Sequence, residues 1–177
     1  MPAATSLSVS LGITGTGVLR SALDLSNPSD NIAIGSGNFD AISIPFAFGT
    51  GSEQASEYWH DERTILTTAN DDLDLAGGLV NPFGTTLTFT VLKWIIIDID
   101  APDGTKSLRV GPQGVANAFQ GPFGGVLAAN YVTVHRALFM VEPYTGWTVT
   151  AGSVDILRIN NPGAGTVVYR IWLGGEV

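Results

Sequence analysis

The chain has 177 residues, enough for one substantial core, and its 45% apolar and 14% charged content excludes intrinsic disorder. A formal net charge of −8, with the lysines and arginines scattered singly, excludes the basic stripe that nucleic acid or an anionic membrane surface demands. Without cysteine there is neither a disulfide framework nor thiolate chemistry, and so few charges suggest that some surface is covered by a partner.

Glycine is abundant (22 residues), no segment keeps a helical period, and short alternating runs are separated by turn dipeptides. Met1–Arg20 has no basic residue before Arg20 and no continuous apolar core, so it does not read as a signal peptide. The longest apolar stretch, Val91–Ile97 broken by Lys93, is too short to span a bilayer. The expectation is a soluble protein made in a cytoplasm. Leu7–Ile13 alternates, with Leu7, Val9, Leu11 and Ile13 on one face. Ile32–Ile34 forms a short strand closed by "GSG". In Ala41–Phe48, Ile42, Ile44, Phe46 and Phe48 share a face, and Pro45, lacking an N–H, points to an edge or a bulge.

Ser56–Thr68 admits a short helix but has no clean 3.6-residue stripe; as a strand it puts Tyr58, His60, Glu62, Thr64 and Leu66 on one face and Trp59, Asp61, Arg63 and Ile65 on the other. Asn70–Leu75 ("NDDLDL") reads as a turn-rich lead-in, its aspartates wet while Leu73, Leu75 and Leu79 pack inward. Gly77-Gly78 then bends the chain, and Asn81-Pro82 sets up the next strand. Thr85–Ile99 is the longest strand predicted, alternating at first and then apolar on both faces. Ser107–Val110, Leu127–Val141, Trp147–Thr150, Val154–Ile159 and Thr166–Leu173 follow, the last bounded by "NNPGAG" and "GGEV". These runs predict an all-β fold: a single β-sandwich domain over 1–177, jelly-roll-like, of roughly eight to ten strands. Residues 1–20 are read as an N-terminal arm or an exchanged strand.

Motifs with chemistry are missing. "DIDAPDG" superficially resembles a calcium loop, but its third Asp is one position late and Arg109 stands where the bidentate Glu belongs. His60 and His135 lack a third ligand at metal spacing, and no H-E-x-x-H occurs. There is no G-x-S-x-G, and "GITGTG" (12–17) has neither the P-loop lysine nor a following helix. Arg63 reads as an ion-pair partner of Asp61 and Glu62. No catalytic residue, cofactor or metal is expected. Trp94 and Trp172 lie in the most apolar strands and read as core, whereas Trp59 and Trp147, near Tyr58 and Tyr144, read as exposed at an interface.

The succession "EQASEYWHDERTILTTANDDLDLAGGLVNPFGTTLTFTVLKWIIIDI", "LRVG", "GWTVTAG" and "DILRINNPGAGTVVYRIWLGG", covering roughly residues 53–175, resembles the head decoration (cement) proteins of tailed phages. The resemblance implies a β-sandwich, often trimeric, that sits on the capsid exterior and clamps neighbouring major capsid protein subunits against the pressure of packaged DNA. The implied partners are the major capsid protein and two further copies of the chain, with no nucleic acid and no membrane. Interface candidates are Leu7, Val9 and Leu11 in the first strand, Tyr58, Trp59, His60 and Arg63, and Tyr144 and Trp147. The alternative is a carbohydrate- or receptor-binding module of a phage fibre or tail, stacking sugars on Trp147, Tyr144 and Trp59.

Overall fold

The computed structural model describes residues 7, 9–13, 15–20, 29–34, 42–81, 83–100, 104–125 and 127–177. Asp103 of the acidic turn and Pro82 lie outside them, as does Thr14 of "GITGTG". The N-terminal strands are β1 (Val9–Ile13), β2 (Gly15–Arg20), β3 (Ser29–Ile34), β4 (Ile42–Phe48) and β5 (Gln54–Ala55). Next come β6 (Glu57–Ile65), β7 (Asn70–Asp74), β8 (Leu79–Val80), β9 (Thr86–Leu87), β10 (Val91–Ile99) and β11 (Leu108–Val110). The chain continues through β12 (Val132–Val134), β13 (Ala137–Val141), β14 (Trp147–Thr148), β15 (Ile156–Asn160) and β16 (Val167–Glu176).

Two antiparallel sheets form an all-β sandwich. The first has the order β13-β10-β16-β6, with β14 also paired to β10, and the second runs β12-β11-β15-β7. Their inner faces interleave in one apolar core. Trp59, Ile65, Ile95, Ile97, Tyr169 and Leu173 come from the first sheet, and Leu73, Leu108, Val110, Leu157 and Ile159 from the second. Period-two alternation explains the division: along β16, Val167, Tyr169, Ile171 and Leu173 are buried while Arg170 and Trp172 are exposed.

A third layer covers part of the outer face of the first sheet. Strands β1, β4 and β5 make a small sheet, and Leu11, Phe46 and Ala55 pack on Trp94 with Ile96, Phe139 and Val141 around them. This second core is why "WIII" is apolar on both sides. A register shift between Leu92 and Trp94 lets Leu92 and Ile95 both face inward while Trp94 faces the third layer. At Pro45, β4 pairs with Ser10 of β1, whereas β5 joins β4 only at Ala47 and Phe48, so the proline sits at a locally open edge.

Several expected boundaries differ. Thr85–Ile99 is divided into β9 and β10, because Phe89 and Thr90 bond across to Leu75 O and Glu176 O instead of continuing a ladder. Leu127–Val141 is likewise two strands in two sheets: β12 pairs with β11 and β13 with β10, and the chain crosses between sheets at His135-Arg136. Asn70–Asp74 is a strand and not a turn lead-in. It pairs with β15, and Arg158 bonds Asp72 through Nε and Nη2, both at 2.7 Å. The following segment behaves as read: Asp74 accepts from Ala76 N, and Leu73, Leu75 and Leu79 are buried. Asn81 Oδ1 accepts from Phe83 N and Thr85 N, setting the turn between β8 and β9.

Candidate functional site

The outer face of the first sheet is half covered, and its uncovered half carries the candidate site. Here β6 and β16 run side by side with Trp172 opposite His60 and Arg170 opposite Glu62, and β10 places Ile96 beside Trp172. Trp172 is 52% exposed, although its apolar strand predicts a core residue. Its position in the alternation puts it on the outer face, beyond the part that β1 and β4 cover.

Three rings step across this face. The Tyr58 and His60 rings are stacked with centroids 5.9 Å apart, and His60 meets Trp172 edge to face at 6.2 Å. Two shallow depressions adjoin the rings, and both include His60 and Trp172. One, of about 340 Å³, extends over Ile96 toward Glu62, Asp98 and Arg170. The other, of about 260 Å³, runs under Val9, Ser10 and Leu11 toward Tyr58 and Trp94. Along the first, Arg170 Nε bonds Glu62 Oε2 at 2.9 Å and its Nη2 reaches Asp100 at 3.4 Å. Asp98 pairs with Arg136 at 3.4 Å.

The other expected interface residues separate. Leu7, Val9 and Leu11 fold back onto their own chain, packed in the outer core beside Tyr58. Trp59 is a correction: it is 5% exposed inside the sandwich, because it lies on the inward parity of β6. Trp147 is half-buried against the same main core, paired with Leu92, while Tyr144 is 61% exposed on the loop after β13. The expected sugar platform of Trp59, Trp147 and Tyr144 is therefore not formed. Instead Trp172, with Tyr58 and His60, makes the exposed aromatic face.

Arg63 also points inward. Its Nη1 pairs with Asp61 at 3.0 Å, as expected, but its Nε and Nη2 clasp Asp71 of the opposite sheet and Glu62 turns away to Arg170. Tyr169 donates its phenol to the same Asp71 at 2.8 Å. Burial, with the Asp71 carboxylate beside it, pushes the Tyr169 hydroxyl well above its ordinary value, and the Asp71 bonds raise Arg63 further. This cluster ties the two sheets together, which is a structural task for the first Asp of "NDDLDL".

His60 lies on the outer face of β6 and His135 at the exposed crossing between the sheets. Among the described residues no group of three or more His, Asp or Glu is placed to hold a metal ion, and no helix is long and apolar enough to cross a membrane.

Further exposed apolar side chains lie on segments that hydrogen bonds join: Phe48 (44% exposed), Val80 (51%) and Phe83 (68%) of the β8–β9 hairpin, and Tyr144. Gly49 N bonds Ala55 O, Ser56 N bonds Gly175 O, Glu53 N bonds Pro143 O, and Asn81 bonds Glu57 at 3.1 Å. Lys93, 1% exposed, adds to these bonds, donating to Tyr144 O at 2.8 Å and pairing with Glu176 at 3.2 Å.

Comparison with protein-family models, with curated proteins and with solved structures finds no match to this chain.

Proposed function

We propose that the chain is a non-enzymatic virion structural protein: a trimer on the exterior of a phage capsid that stabilises contacts between major capsid protein subunits. The observation that carries this reading is this group of exposed apolar side chains. Monomeric soluble proteins rarely leave several large apolar side chains uncovered together, and an association surface is the ordinary reason for doing so. In this reading Phe48, Val80, Phe83 and Tyr144, on three segments joined by hydrogen bonds and by buried Lys93, make up such a surface and hold it pre-organised. They bury against companion copies around the three-fold axis, and the trimer seats on the capsid.

The wiring supports it by analogy of fold. The orders β6-β16-β10-β13 and β7-β15-β11-β12, with the chain switching sheets as it runs, support a jelly-roll reading, an arrangement that viral capsid and lectin domains use. The resemblance of residues 53–175 to phage head decoration proteins adds to the same reading. An acidic protein is also suited to an exterior position, away from packaged DNA.

Co-sedimentation with the heads of the phage that encodes the chain tests the proposal. The wild-type protein pellets with the heads, and a Phe83→Ser, Tyr144→Ser variant stays in the supernatant. Wild-type protein that stays in the supernatant would overturn the reading.

A further inference from the structure

We propose that the groove beside Trp172 binds a neutral saccharide. This site shares no residue with the group of Phe48, Val80, Phe83 and Tyr144 and does not depend on the function proposed for it.

The aromatic face suits a sugar. A pyranose ring has an apolar face of C–H groups, and these prefer the electron-rich face of an aromatic ring. Trp172 offers such a ring, half exposed and held by an edge contact with His60, itself stacked on Tyr58. All three rings stand on paired strands and not on loops, so their spacing is fixed before any ligand arrives. Two depressions, of about 340 Å³ and about 260 Å³, both border the Trp172–His60 pair, so a ligand longer than one ring can reach both.

A polar wall stands beside it. Hydroxyl groups on adjacent sugar carbons are well matched by planar groups with two acceptors or two donors side by side. Glu62, Asp98 and Arg170 line the groove next to Trp172, and Arg170 Nε donates to Glu62 at 2.9 Å. A carboxylate has more acceptor sites than one ion pair occupies, so hydroxyl donors can still be received. Ser10 adds a hydroxyl on the β1 side.

Charge narrows the ligand. Each carboxylate lining the groove has a cation beside it: Asp61 pairs with Arg63, Glu62 with Arg170 and Asp98 with Arg136, while Arg170 also reaches Asp100. With these arginines already engaged by carboxylates, uronic or sialic acids and phosphates find no spare cation in the groove, which leaves neutral sugars. A proline-rich peptide also docks on exposed aromatics, but it has few N–H donors for a wall made mostly of acceptors.

Calorimetric titration of the full chain with neutral hexasaccharides of glucose, mannose, galactose and N-acetylglucosamine tests the site, with oligogalacturonate and a proline-rich decapeptide as controls. At least one neutral hexasaccharide is expected to bind with a Kd between about 10 μM and 1 mM. Trp172→Ala should weaken it by about tenfold or more and Glu62→Gln by several-fold, while the exposed position of Trp172 leaves the melting temperature nearly unchanged. No heat from any neutral hexasaccharide at about 10 mM would overturn the proposal. So would binding unchanged in Trp172→Ala, or tighter binding of the acidic oligomer or the peptide.

Discussion

A Cβ built on Gly174 would lie 1.8 Å from Cζ2 of Trp94, so the indole lies directly against the backbone of the neighbouring strand. Gly175 is as constrained, its Cβ falling 1.9 Å from Val91 O. The "GG" after "YRIWL" therefore does not end the strand. It lets β16 continue to Glu176 while the N-terminal layer closes over Trp94. Gly174→Ala should lower unfolding stability by about 2–4 kcal/mol, since neither Trp94 nor the backbone can give way cheaply. Gly165, with nothing within 4 Å of its Cβ, is the control, and its change to Ala should stay within about 0.5 kcal/mol. Urea unfolding of both variants checks the contrast.

Trp59→Ala should cost about 3–5 kcal/mol, because the ring fills the space between the two sheets. Trp172→Ala should cost under about 1 kcal/mol, its ring being half exposed. Thermal melts distinguish a core tryptophan from a surface one without reference to any partner.

Asn161, fully buried, donates from its amide to the carbonyls of Ile65, Leu66 and Gly165, and its Oδ1 accepts from Gly163 N. It pins the loop after β15 to the end of β6. Asn161→Ala removes these side-chain bonds from a buried loop and should lose about 2–4 kcal/mol. Asn161→Asp should be worse at neutral pH, because it sets a carboxylate against three acceptors, and acidification should recover part of the loss. Denaturant midpoints at about pH 4 and pH 7 read the difference.

Tyr169 gives a pH dependence of fixed sign. Its folded-state pKa is raised, so the folded protein holds the phenol proton more tightly than the unfolded chain does. Its contribution is complete below the ordinary tyrosine value of about 10 and falls as pH rises above it. Tyr169→Phe should lose about 1–2 kcal/mol at neutral pH, with the bond to Asp71, and show a shallower alkaline decline than wild type. Parallel alkaline slopes in the two proteins would contradict the assignment.

Where one periodicity ruled, the sequence was legible. The two faces of β6 fall as the alternation reads, Trp59, Arg63 and Ile65 inward and Tyr58, His60 and Glu62 outward. The same rule would have exposed Trp172, two residues from Arg170 and on its face; judging the strand by overall apolarity hid it. Other features depended on distant segments. Asp71 looks like a turn residue until Arg63 and Tyr169 are brought to it, and the register shift at Lys93 sets which face Trp94 meets. Nor could the exposure of Phe48, Val80, Phe83 and Tyr144 be read from the chain, since the hydrogen bonds that join their segments are long-range.

The solution mass by light scattering behind a sizing column tests the association surface most directly. The account predicts a trimer of the 18.5 kDa chain that dissociates in a Phe83→Ser, Tyr144→Ser variant whose circular dichroism is unchanged. A wild-type monomer at every concentration, or a trimer untouched by those substitutions, would contradict it.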